Sequence, residues 1–152
     1  MRVALLQINP TAGAIDGNAS LLIRGVRQAQ AEGADLIVSS ELALMGYLPR
    51  DLLMSGGFVR RSCIALHRMA QELASAPPFL AGAATVNESE MGRPLFNSAV
   101  LLKDGTVGPA FHKSLLPTYD VFDEDRYFEP GSGPEILELN GRRLGISICE
   151  DV

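Results

Sequence analysis

The chain has 152 residues, with 13 Lys and Arg against 18 Asp and Glu and a formal net charge of −5. Hydrophobic residues make up 47% and charged residues 20%, a globular rather than a disordered composition, and this length predicts one domain with one core. A negative balance without a basic run argues against a nucleic-acid or anionic-membrane binder, no apolar run approaches the ~20 residues of a spanning helix, and two cysteines make no disulfide framework.

The chain opens on Val3-Ala4-Leu5-Leu6, turns polar at Gln7 and Asn9 and meets Pro10. This reads as a buried strand over 3–9, and its polarity comes too early for a signal-peptide core. A cytoplasmic protein with reduced thiols is expected. Asp16-Gly17-Asn18 offers N-cap chemistry. Leu22, Val26 and Ala29 follow at helical spacing, and Gly33 supplies the stop. Residues 35–40 form a second apolar run, so the first forty residues predict a βαβ unit with parallel strands.

Residues 41–57, rich in Gly, Pro and Met, read as a loop with one turn of helix. Val59, Cys63, Leu66, Ala70 and Leu73 mark an amphipathic helix over 58–75, ended by Pro77-Pro78. Cys63 falls on its apolar stripe and His67 off it. A strand is predicted over 79–86. Two hairpins follow, at 95–102/106–111 and 135–139/143–148, turning at Asp104-Gly105 and Asn140-Gly141. Residues 113–134 are a long loop of aromatic and acidic residues. The fold class is α/β, with two early helices and a sheet of mixed direction. Only four residues follow the strand ending at Ile148, so the expectation is a chain cut inside a domain.

Three side chains with complementary chemistry stand at strand ends: Glu41, Lys113 and Cys149. In α/β sheets the carboxyl ends of strands host sites. A thiol that attacks a carbonyl, a carboxylate that takes its proton and an ammonium that stabilises the oxyanion suit acyl transfer. Taken singly, each has an ordinary explanation: a helix-end charge, a solvated lysine, a small buried thiol. His112 either lines the same strand end or is structural. No Cys/His cluster has metal-ligand spacing, and no glycine loop of the phosphate-cradling kind is present.

Four segments carry a resemblance. They are Met1 to Thr11 with Asp16-Gly17-Asn18, the run Glu41 to Leu53, the run Lys113 to Gly131, and Gly145-Ile146-Ser147-Ile148-Cys149-Glu150-Asp151. Together they resemble the nitrilase (carbon–nitrogen hydrolase) superfamily, with its Glu-Lys-Cys triad on an α-β-β-α sandwich. Cys-Glu-Asp, with Val-Phe-Asp-Glu-x-Arg-Tyr-Phe upstream, is most similar to the glutamine amidotransferase domains of glutamine-dependent NAD⁺ synthetases. The resemblance implies Glu41 as general base, Lys113 as oxyanion-stabilising lysine and Cys149 as nucleophile. It implies Glu124 as a second glutamate supporting the triad, and Tyr119 as a substrate-side tyrosine. The reaction it implies is glutamine hydrolysis through a thioester, with the ammonia passed to a synthetase domain that amidates deamido-NAD⁺.

On the same resemblance, residues 1–152 form the N-terminal part of a nitrilase-like sandwich cut just after the nucleophile, with the synthetase domain absent. ATP and Mg²⁺ are expected in that domain only, and no cofactor in this chain. Glutamine is the expected small-molecule partner, and self-association is expected of the complete protein. The fragment alone is expected to be inactive, with the second sheet and two covering helices missing and one sheet face bare. The rival readings are a stand-alone amidase acting on another small amide and a truncated, non-catalytic polypeptide. Departures from the superfamily pattern are Ser39-Ser40 before the glutamate, Leu48 in place of a proline, and Phe96 in place of tyrosine before Asn97. None removes a triad member.

Overall fold

A computed structural model describes residues 1–89 and 91–152. Among these residues the strands are β1 (Val3–Leu6), β2 (Leu36–Ser39), β3 (Phe79–Val86), β4 (Leu95–Lys103), β5 (Thr106–His112), β6 (Glu135–Leu139) and β7 (Arg142–Ile146). The helices are α1 (Ile15–Ala31) and α2 (Gly56–Glu72). Three 3₁₀ turns, Arg50–Met54, Glu124–Arg126 and Cys149–Asp151, punctuate the loops.

Strands β1 to β5 form one sheet in sequence order. The β1–β2 and β2–β3 pairs are parallel, and β3–β4 and β4–β5 are antiparallel. The predicted α/β class with a sheet of mixed direction is therefore observed. Strand β1 is shorter than its apolar run because its ladder ends at Leu6↔Ser39, where β2 ends.

Both helices bury one stripe on the same sheet face. Leu22, Ile23 and Val26 of α1 and Leu66, Met69 and Ala70 of α2 meet Ile37, Phe79 and Ala81 in the main core. Each large side chain so buried contributes about 1.5–3 kcal/mol. Cys63 is half-buried and packs on the rim of this core, and His67 is exposed. The predicted N-cap at 16–18 is displaced. The helix begins at Ile15 after Ala14, without a side-chain cap. Asn18 lies inside it and is buried because its amide bonds the Thr11 backbone on both sides and the Leu44 carbonyl.

The opposite sheet face is not bare, as the sequence reading expects it to be. Strands β6 and β7 form a separate hairpin. Its Leu137 and Leu139 pack on Leu36, Leu80, Leu101 and Phe111. A lone hairpin is marginal in water, so this second core is what holds it in place. The cover stops short of β1, where Val3 is 44% and Leu5 is 74% exposed.

Candidate active site

The topology assembles the site. Strands β2, β3 and β5 run in one direction, so their carboxyl ends share an edge with the start of the reversed strand β4. Glu41 follows β2, Asn97 stands near the start of β4, and Lys113 follows β5. The segment carrying Glu41 crosses directly over β3 at Gly82. The Gly82 N–H donates to Ser39 Oγ at 2.9 Å, and its carbonyl accepts from the Leu44 N–H at 3.1 Å. A Cβ at Gly82 would strike the Ser40 carbonyl oxygen and lie 2.7 Å from the Leu42 nitrogen. Only glycine permits that approach.

The Lys113 backbone is pinned on both sides. Its N–H donates to the Asn97 carbonyl at 2.8 Å, and its own carbonyl accepts the Gly131 N–H at 2.8 Å. Its side chain has no solvent exposure. The ammonium Nζ lies 2.8 Å from Glu41 Oε1 and 2.9 Å from Glu124 Oε2. Glu124 is itself buried, delivered by the turn Glu124–Arg126, whose first N–H reaches the Pro117 carbonyl. Asn97 Nδ2 donates to Glu41 Oε1 at 2.7 Å, and the Tyr47 hydroxyl donates to Glu124 Oε1 at 3.3 Å.

Burial alone would push the Lys113 ammonium toward its neutral form. The hydrogen bonds and charges of Glu41 and Glu124 outweigh that and raise its pKa, so the lysine is held charged. Burial raises the Glu124 carboxyl despite the Lys113 hydrogen bond.

Cys149 opens the turn Cys149–Asp151 with a φ of 50°, a left-handed conformation that costs a non-glycine residue about 1 kcal/mol and is concentrated at functional sites. The residue is exposed, and the Glu41 carboxylate is among the groups that act on its titration. Partial burial and the Glu41 charge raise the thiol pKa, with Lys113 pulling the other way. The resting group is therefore a thiol. Glu41 and Cys149 both line a cavity of about 350 Å³ between the sheet and the hairpin, walled by Val38, Leu80, Leu144 and Ile146.

Tyr119 is 56% exposed and outside the cavity lining, its hydroxyl 3.0 Å from the Glu150 carboxylate and its ring edge-on to Phe122. His112 points away from this chemistry: it stacks on Phe96, and its Nδ1 meets Ser98 Oγ at 2.8 Å. The sequence reading passes over Asn97, although Phe96-Asn97 already stands out as a family feature, and over Gly82, whose role is visible only once β3 and the Glu41 segment meet. Among the described residues, no group of three or more His, Cys, Asp or Glu side chains is arranged to hold a metal ion. No helix of the described residues is long and apolar enough to cross a membrane.

A carbon-nitrogen hydrolase family model matches residues 2–152. The glutamine-dependent NAD(+) synthetase of Synechocystis sp. is 44% identical over 99% of this chain and 27% of its own length. That of Thermotoga maritima is 36% identical over 100% of this chain and 26% of its own. The chain thus spans about a quarter of the length of these curated relatives. Among solved structures, the glutamine-dependent NAD+ synthetase of Acinetobacter baumannii superimposes with a TM-score of 0.89 at 37% identity, over 98% of this chain and 27% of that one. An amidase from Nesterenkonia sp. superimposes with a TM-score of 0.79 at 25% identity, over 99% of this chain and 56% of that one.

Proposed function

The chain belongs to the carbon–nitrogen hydrolase family, and from that premise we propose that it carries the amide-hydrolysing chemistry of a glutamine amidotransferase in NAD⁺ biosynthesis. The observation that carries the reading is Lys113, fully buried between Glu41 and Glu124, with Cys149 lining the same cavity as Glu41.

Glu41 removes the thiol proton as Cys149 Sγ attacks the side-chain carbonyl of glutamine. The new C–S bond pushes the carbonyl pair onto oxygen, and the Lys113 ammonium stabilises that oxyanion. The tetrahedral centre collapses, the C–N bond breaks, and the proton held by Glu41 leaves on ammonia. Glu41 then deprotonates a water molecule, which attacks the γ-glutamyl thioester. Glutamate departs and the thiol regains its proton. Glu124 keeps Lys113 charged and oriented, and Tyr119 is the substrate-side tyrosine. The ammonia is destined for an ATP- and Mg²⁺-dependent amidation of deamido-NAD⁺ in a synthetase domain beyond residues 1–152.

The likeness to an amidase supports a second reading, hydrolysis of another small amide by the same residues. The two part on protection. In the protein that carries residues 1–152 together with its synthetase domain, labelling of Cys149 by the glutamine-like electrophile diazo-oxo-norleucine is expected to be slowed by glutamine and not by acetamide or butyramide. Protection by the simple amides alone would transfer the assignment to the second reading. No labelling of Cys149 at all would favour a non-catalytic polypeptide.

A further inference from the structure

We propose that Asp151 is a positioning residue: its one carboxylate ties the turn that carries Cys149 to the loop that carries Lys113. The inference rests on the reading above, in which these two side chains act together. Asp151 Oδ1 accepts the backbone N–H of Ser114 at 2.9 Å and of Leu115 at 2.8 Å. Its Oδ2 accepts the N–H of Ile148 at 3.0 Å. Ser114 and Leu115 directly follow Lys113, and Ile148 directly precedes Cys149. Its own N–H closes the turn on the Ile148 carbonyl at 3.2 Å.

The fold creates the need for such a tie. Lys113 leaves the five-stranded sheet and is fixed to it by the Asn97 carbonyl, while the Gly131 N–H of the following loop holds its own carbonyl. Cys149 follows a hairpin that shares no ladder with that sheet. At the start of the hairpin, Glu135 Oε1 accepts the His112 N–H at 2.6 Å, which anchors β6. The β7 end reaches the Lys113 loop through Asp151. An ionised carboxylate suits three backbone donors, because each bond is charge-assisted and both oxygens only accept. Asparagine would turn an N–H₂ toward at least one of them.

The consequence is read at Cys149. The charges that act on its thiol are those of Glu41, Lys113 and Glu124, and its own charge acts on Tyr47 and Tyr119. If the turn loosens, the thiol moves away from Glu41 and titrates closer to an ordinary cysteine, at about 8.5. The test follows the rate of iodoacetamide alkylation of Cys149 against pH, with Cys63 in the same chain as reference, in wild type, Asp151→Asn and Glu150→Gln. Glu150→Gln removes an equal charge one residue away and leaves all three amides with their acceptor, so it isolates the effect of charge. The midpoint is expected to fall further in Asp151→Asn than in Glu150→Gln, and an equal or smaller fall overturns the proposal.

Amide hydrogen exchange on the wild-type chain gives a second readout that survives a variant failing to fold. Ser114 and Leu115 lie outside any strand, yet their N–H groups are expected to be protected. Exchange there at open-chain rates would overturn the tie. Neither readout involves an amide substrate, so failure of the glutamine reading would leave both unchanged.

Discussion

A lysine removed from water needs its charge matched, and Lys113 meets one carboxylate at 2.8 Å and another at 2.9 Å. Lys113→Met would leave Glu41 and Glu124 facing each other around an uncompensated site. Breaking a buried pair this way costs about 3–5 kcal/mol, so the urea midpoint should drop sharply. A loss below about 1 kcal/mol, the range of a surface pair, would show that the lysine is solvated. Glu41 sets the sign of a second prediction. Its charge is among the causes that raise the Cys149 thiol, while Lys113 lowers it. Glu41→Gln removes a raising cause and keeps the lowering one, so the alkylation midpoint of Cys149 should move to lower pH than in wild type. An unchanged or higher midpoint would mean that the carboxylate does not face the thiol. Glu41, Lys113 and Cys149 were legible in the sequence as complementary chemistry at strand ends. Asn97 was not, because an asparagine on a strand looks like any ladder residue until two carboxylates converge on its amide.

At the scale of the elements, the site depends on one close crossing. The Gly82 backbone supports the segment Ser40–Leu44 from below, and there is no room between them for a methyl group. Gly82→Ala is expected to lower stability by about 1–3 kcal/mol, the range of overpacking, and to displace Glu41. The same variant should therefore move the alkylation midpoint of Cys149 to lower pH, as Glu41→Gln does, even when it is folded. Full stability with unchanged reactivity would contradict the crossing. Strand positions were readable because β3 and β4 are apolar runs closed by turn residues. The start of α1 was misread for a physical reason: Asp16 and Asn18 have the chemistry of caps, but Asn18 spends its amide on Thr11 and Leu44 and pins two loops from inside the helix.

Among the described residues the molecule is three layers, two helices, a five-stranded sheet and a hairpin, with the candidate site where the last two meet. The helical layer was legible from its periodicity. The hairpin layer was not, since alternation in β6 and β7 states that one face is buried and not against what. The sequence therefore left the far face bare, and the structure covers it with Leu137 and Leu139. The central claim is that this assembly makes Cys149 a nucleophile served by Glu41. Peptide mapping after exposure to limiting diazo-oxo-norleucine tests it most directly, on wild type, Cys149→Ala and Glu41→Gln. The account predicts one adduct, on Cys149, absent from Cys149→Ala and strongly slowed in Glu41→Gln. Modification of Cys63 at a comparable rate, or an adduct that survives Cys149→Ala, would contradict it.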